Sequence, residues 1–283
     1  MSSTIRRFSI LFPAAVLALT LLPVSAQAAS GVSVSTSPDA DKFDIRLGGF
    51  ALQNIKSTLR LDGSNGQIGD TVDFVKTLGG DDNLTVFRVD GEWRFAAKHR
   101  VQVAYFDIDM TATKTLTGAI KWGDQVYPVN AKIDSELRNT VYKLNYAYSF
   151  YRNPNHEIAA QIGAHVTRIE ANIGVPALGK KEGSSVTAPL PVIGLEWKAK
   201  LSEKFLSQVS YQYFGVSLEN DKYSGDLSDF LAVVSYRLSR HWYVGGGFNR
   251  YVINAEVKGS KTALKLTMKH EYNGFILHLG TNF

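Results

Sequence analysis

From Val141 to Tyr151 the chain alternates. Tyr142, Leu144, Tyr146, Tyr148 and Phe150 take the even positions, and Lys143, Asn145, Ala147 and Ser149 lie between them. Successive side chains of a strand point to opposite faces, so this segment predicts a strand with one aromatic-aliphatic face and one polar or small face. The period recurs along the chain: Phe43, Ile45 and Leu47 against Asp44 and Arg46; Ile158, Ala160 and Ile162 against Glu157 and Gln161; Ile193, Leu195 and Trp197 against Glu196 and Lys198. It recurs again at Val209, Tyr211 and Tyr213, at Phe230 to Leu238, and at Phe275, Leu277 and Leu279. Around Phe87, Val89, Trp93 and Phe95 the opposite face carries Arg88, Asp90, Glu92 and Arg94. Four charges in a row do not suit the dry core of a soluble sandwich. They suit the polar lumen of a barrel whose other face meets lipid.

Turn chemistry divides these strands. Short polar turns fall at Ala97–Arg100, Arg152–His156, Leu201–Lys204 and Ser239–Arg240, and longer loops at Gly118–Asn130, Gly174–Thr187, Glu219–Asp226 and Lys258–Thr262. Short turns at one end and long loops at the other match the periplasmic and extracellular ends of a membrane barrel. The expected fold is all-β: a closed antiparallel up-and-down transmembrane barrel of about ten strands, or twelve if Leu78–Asp82 makes its own hairpin. Two stretches read less simply. The odd positions from Phe43 run on through Ile55, Leu59 and Leu61, which suggests one long first strand without a register break. A bulge at Leu78–Asp82 then absorbs the change from even (Val72, Phe74) to odd (Phe87) positions. Continuing Val101, Val103 and Tyr105 puts Asp107 and Asp109 toward lipid, so a bulge or an early exit from the membrane is expected there.

The N-terminus changes the picture of where the chain goes. Arg6 and Arg7, an apolar run from Phe8 to Val24, and Ser25-Ala26-Gln27-Ala28 form the three parts of a secretory signal peptide. The expected organisation is a signal peptide over residues 1–28 and a barrel domain over 29–283. Those 28 residues hold two Arg and no acid, so the net charge of +5 becomes +3. With 45% apolar residues and a mean hydropathy of -0.09 the chain is too polar for a helical membrane protein. It has no cysteine, so disulfides do not hold it.

Three of the four tryptophans, Trp93, Trp197 and Trp242, lie near short turns with Phe95, Phe150, Phe205 and Tyr236, as an interfacial girdle requires. The last strand, Tyr272 to Phe283, ends on an aromatic with Phe275, Leu277 and Leu279 on alternate positions. It resembles the C-terminal signal read by the barrel-assembly machinery, and the chain from residue 29 on is similar to small outer-membrane barrels of the OmpA and OmpW type. The resemblance implies a place in the outer membrane, periplasmic chaperones and assembly machinery as partners during biogenesis, and no particular activity.

Barrel enzymes carry hydrolytic groups near the outer rim. His99, His156 and His241 fall at short turns, His165 and His278 face the lumen, and His270, followed by Glu271, has no serine or aspartate paired with it in sequence. No G-x-S-x-G or H-E-x-x-H string is present, so a non-enzyme without cofactor or metal is expected. Arg46, Arg88, Asp90, Glu92, Arg94, Lys143, Glu157, Glu196, Lys198 and Arg237 should point inward. Their mixed signs favour a salt-bridged plug in a narrow lumen over a selectivity filter. Lys121, Lys180, Lys181, Lys222, Lys258, Lys261 and Lys265 fall on or near the outer loops, where a basic rim suits lipopolysaccharide phosphates. The sequence thus predicts a monomer with a structural or narrow passive pore role and no nucleic-acid partner. A rim enzyme acting on lipid or peptide and a surface-adhesion barrel are the alternatives.

Overall fold

The alternating segments become ten strands in the computed structural model, which describes residues 9–11, 42–63, 66–176, 180–218, 223–258 and 265–283. We number them β1 (Phe43–Leu61), β2 (Leu84–Ala96), β3 (His99–Thr115), β4 (Lys132–Arg152), β5 (His156–Val175), β6 (Lys180–Lys200), β7 (Phe205–Leu218), β8 (Tyr223–Arg237), β9 (Trp242–Lys258) and β10 (Lys265–Asn282). Each pairs antiparallel with the next, and β10 pairs with β1, so the sheet closes. Closure satisfies the backbone of every strand inside lipid, where water is missing. Apart from Ser9–Leu11, the expected signal peptide lies outside the described residues.

Three of the four short turns are sealed by their own polar residues. Asn153 Oδ1 accepts from the amides of Asn155 (2.8 Å) and His156 (2.7 Å). Ser202 Oγ accepts from Phe205 N at 3.1 Å, and Ser239 Oγ from Trp242 N at 3.2 Å. Such side chains supply acceptors where the ladder ends.

Outward residues mark a lipid belt. On β4 it runs from Tyr142 to Phe150, and on β10 from Phe275 to Phe283. Nine residues of strand rise roughly 30 Å, or about 25 Å at the usual tilt, the height of a barrel's apolar band. At the turn end the belt finishes in a row of rings: Phe283 stacks on Phe43 at 5.6 Å, Phe43 on Trp93 at 6.2 Å, and Trp93 packs on Phe95 at 5.5 Å. Trp197 and Trp242 are likewise exposed. Above the belt the strands continue as a collar, β4 reaching 21 residues in all.

Three expectations are corrected, and one of two alternatives is decided. The first strand does break register: Asn54 adopts φ 53°, and the β1–β10 ladder slips between Glu271 and Asn273. Even residues point inward through Leu52, and odd residues (Ile55, Ser57, Leu59, Leu61) do so afterwards. The bulge lets one apolar stripe leave the lipid and turn into the lumen. Leu78–Asp82 is no strand bulge. Residues 74–78 form a turn, only Thr71–Asp73 pairs with β1, and β2 starts at Leu84. Of the two outcomes expected at Asp107 and Asp109 the early exit holds: the β3–β4 ladder runs without a slip, and the strands leave lipid at Tyr105 and Tyr142. Asp107 then accepts from Thr140 Oγ1 at 2.6 Å, and Asp109 pairs with Arg138. Finally, most of the expected loop Gly174–Thr187 is strand, with β5 ending at Val175 and β6 starting at Lys180.

One ladder is short. β6 pairs with β7 only from Ile193 to Lys200, whereas its pairing with β5 runs from Lys180 to Ala199. Pro189 and Pro191 have no N–H, so they fit only where that side of the strand lacks a partner. Ser9–Leu11 lies parallel to Ser185–Thr187 on this open edge.

Candidate functional site: the filled lumen

The inward faces of the ten strands make two different interiors. Toward the short turns it is ionic. Arg100, fully buried, lies 3.0 Å from Glu92, 2.7 Å from Glu196 and 3.5 Å from Glu157. Arg94 donates both terminal nitrogens to Glu157, at 2.9 and 2.8 Å, and Lys198 reaches Glu92 at 2.9 Å. Gln102 bridges Glu92 and Glu196, and Gln208 Nε2 adds a bond to Glu196 at 2.8 Å. Gln208 also accepts from Arg46, which pairs with Asp44 at 3.2 Å. A step higher, Arg88 holds Asp90 with two bonds of 2.8 Å, and Lys143 holds Asp229 at 2.5 Å. Asn249 links the two pairs, accepting from Arg88 and donating to Asp229.

Six cations (Arg46, Arg88, Arg94, Arg100, Lys143, Lys198) thus meet six carboxylates (Asp44, Asp90, Glu92, Glu157, Glu196, Asp229). These twelve groups sum to zero, and Arg152, 4.0 Å from Glu157 at the turn, adds one positive charge, so the network has little net field with which to select one sign of ion. Of the lumen charges expected from sequence, all but Arg237 stand in this network; Arg237, the last residue of β8, is half-buried beside the short turn. Arg100 and Asp229 were not anticipated, and Asp44, on the polar face beside Arg46, was not among the expected lumen charges. A cavity of about 50 Å³ opens at this end, lined in part by Asp44, Arg46, Lys198, Gln208 and Tyr243.

A layer of rings lies over the charges. Phe50, Phe106 and Tyr272, from β1, β3 and β10, meet edge to face with centroids 5.9–6.0 Å apart. Tyr251 stacks on Tyr272 at 5.1 Å. The Arg88 guanidinium lies 5.4 Å from the Phe106 centroid, and the Lys143 ammonium 5.3 Å from that of Tyr251. Ring faces attract the cations that the carboxylates hold from the other side.

Beyond the rings the interior is apolar. Leu52, Ile55, Leu59, Ile108, Ile133, Leu137, Ile169, Ile173 and Ile253 are all buried there. Two loops finish it. Residues 62–83 bring Val72, Phe74 and Leu78 inward, and residues 116–131 bring Leu116, Ile120, Trp122 and Tyr127. Backbone bonds tie the loops together, Asp70 N to Lys121 O at 2.9 Å and Gly123 N to Leu61 O at 3.0 Å. Tyr127 hydroxyl donates to Ile173 O at 3.2 Å, which fastens the 120–127 hairpin to β5. The expected ionic plug therefore fills only the half toward the short turns, and a mainly apolar stopper fills the other.

His270, unpaired in sequence, meets Ser57 across the β10–β1 ladder, Oγ to Nδ1 2.8 Å. Both side chains are buried and Phe74 N bonds Ser57 O above them, so the pair stands inside the stopper. Among the described residues no carboxylate bonds His270. His165 and His278 are buried, bonded to Gln212 and Ser235. Phe275, Leu277, Leu279 and Phe283 all face outward. Of the expected rim lysines, Lys121 lies exposed in the hairpin over the mouth. Lys222 and Lys261 fall outside the described residues, as do the side chains of Lys180, Lys181, Lys258 and Lys265.

No protein-family model and no curated protein matches the chain. Among solved structures, the outer membrane protease OmpT of Escherichia coli is similar in fold, with a TM-score of 0.51 over 89% of this chain and 99% of that one, at 12% identity. Looser likenesses, at TM-scores of 0.36 and 0.33, are to OprG of Pseudomonas aeruginosa (13% identity, 86% and 96% covered) and Ail of Yersinia pestis (12%, 83% and 98%). The chain has the fold of bacterial outer-membrane β-barrels. Its closed sheet and the height of its lipid belt require a membrane, and the fold shared with OmpT is that of the outer membrane.

Proposed function

We propose that this barrel is a monomeric structural protein whose lumen does not conduct, and that it is not an enzyme. The observation that carries the reading is the filling of the lumen along its whole height. Neutral ion pairs occupy one half and buried apolar side chains the other, with rings between them. An ion leaving the periplasmic vestibule would have to shed its water among Leu, Ile and Phe side chains, at a cost of several kcal/mol. Closure of the sheet leaves no edge inside the lipid belt to recruit a second barrel. Proteoliposomes test this: vesicles containing the barrel should swell in small sugars no faster than empty ones. Swelling that scales with protein content would overturn the reading.

A further inference from the structure

The barrel wall is closed through the lipid belt and lapses above it on one side. β6 pairs with β5 as far as Lys180, but its ladder with β7 stops at Ile193 and Tyr213, and β7 itself ends at Leu218. Continued in the same register, Leu218 would stand opposite Ala188. Above Ala188 the edge of β6 has no neighbouring barrel strand among the described residues.

The height of this edge follows from β5. Thr187 is the cross-strand partner of Arg168, and Ser185 that of Glu170, and those two charges form an ion pair on the outer wall of the collar. The free edge thus stands in water, which can satisfy its peptide groups, and not in hydrocarbon, which cannot. The prolines show which groups are free. Pro189 and Pro191 fit the β5 ladder only with their nitrogens turned away from β5, toward the open side. Thr187 and Ser185, two and four residues before Pro189, turn their N–H and C=O groups the same way. Proline is a common guard of exposed edges. Here it guards the two positions nearest the lipid and stops at Thr187, which keeps its N–H.

A strand does lie against the unguarded part. Ser9–Leu11 runs parallel to Ser185–Thr187, with Ile10 opposite Val186. In that register the central residue of a parallel partner donates to Ser185 O and accepts from Thr187 N. These residues fall in the expected signal peptide, so in a chain cut after Ala28 the edge passes to another strand.

We propose that the free edge of β6 takes up an extended peptide segment of another protein, added as a parallel strand with its N-terminus pointing away from the membrane. Register sets the chemistry of that segment. Its central residue shares the inward face with Ala188, Leu190 and Val192, so it is aliphatic. The residues on either side of it share the outward face with Ser185 and Thr187, in water, and need no apolar character. The site is independent of whether the lumen conducts.

NMR of the isotope-labelled barrel, purified from outer membranes into micelles, tests it with the soluble acetylated peptide Lys-Ser-Ile-Leu-Lys. The amides of Ser185 and Thr187 should shift as the peptide is added. The same peptide with its isoleucine N-methylated lacks the central donor and should bind about tenfold more weakly. Thr187→Pro removes the donor of the barrel, leaves the β5 ladder intact, and should weaken binding by a similar factor. Ser185→Ala keeps the backbone and should leave binding unaltered. Heat-modifiability on gels checks that each variant is folded, and the N-methylated peptide makes the same test on the native barrel. Absence of shifts at Ser185 and Thr187, or equal binding of the N-methylated peptide, would overturn the proposal. So would equal binding by the folded Thr187→Pro barrel, or a loss in Ser185→Ala, which would give the contact to a side chain. The same shifts on adding unlabelled barrel alone would give the edge to a second copy of this chain instead.

Discussion

The two halves of the lumen are stabilised in opposite ways. In the outer half each buried Leu, Ile or Phe contributes its own removal from water, about 1.5–3 kcal/mol, and the contributions are non-directional. In the periplasmic half the ion pairs gain little net energy, because desolvation offsets attraction. What they do is make one another necessary. Arg100 answers Glu92, Glu157 and Glu196 together, so its loss unsettles three carboxylates at once. The apolar half should therefore weaken by increments and the ionic half by collapse of a unit.

The largest expected effect tests that coupling. Arg100→Met should lower unfolding stability by about 3–5 kcal/mol, because it leaves Glu196 buried without its cation and removes one of the cations that hold Glu92 and Glu157. Adding Glu92→Gln and Glu196→Gln to the same protein should recover part of the loss. Urea titration followed by heat-modifiability measures both, and a simple sum of losses would erase the contrast between the halves. In the stopper, Leu59→Ala should cost about 3 kcal/mol, and Leu59→Ala with Ile253→Ala should cost close to the sum of the two single changes.

A smaller change has the opposite sign. Asn139 is 1% exposed among the apolar residues of β4, between Ile108 and Ile169, and neither atom of its amide has a hydrogen-bond partner. Asn139→Leu should raise stability by about 1–2 kcal/mol, seen as a higher urea midpoint. A lower midpoint would mean that the outer half tolerates less repacking than its composition implies. The least effect belongs to Ser57→Ala, about 1 kcal/mol from the loss of the His270 bond. Loss of an ester-hydrolysing activity in that variant would instead give the pair a chemical role.

Much of the lower half was legible in the sequence, because alternation states which side chains share a face. Arg88 to Arg94 could only be inward, since an arginine on the lipid face near the midplane costs about 2–4 kcal/mol. Arg100 was hidden because it follows a turn by two residues and reads as part of it. Asp229 sits one step before the run at Phe230 from which that strand's period is read. The outer half was illegible for a different reason. Once strands rise above lipid, apolar residues may face inward, so Ile55, Leu59 and Leu61 look like a continuation of the lipid stripe. Only the slip at Asn54 reverses them. Trp122 and Tyr127 lie in a segment whose glycines and lysines read as a solvated loop. Their burial comes from contacts with β1 and β5, distant in sequence.

The central claim, that the apolar half seals the lumen, is tested most directly by single-channel recording in planar bilayers. Two proteins suffice: the native barrel, and one in which residues 118–129 are replaced by a short Gly-Ser linker, which withdraws Ile120, Trp122 and Tyr127. The native barrel should show no stable conductance steps, and the shortened one should show small steps limited by the ionic layer. Stable steps of equal size from both proteins would contradict the account.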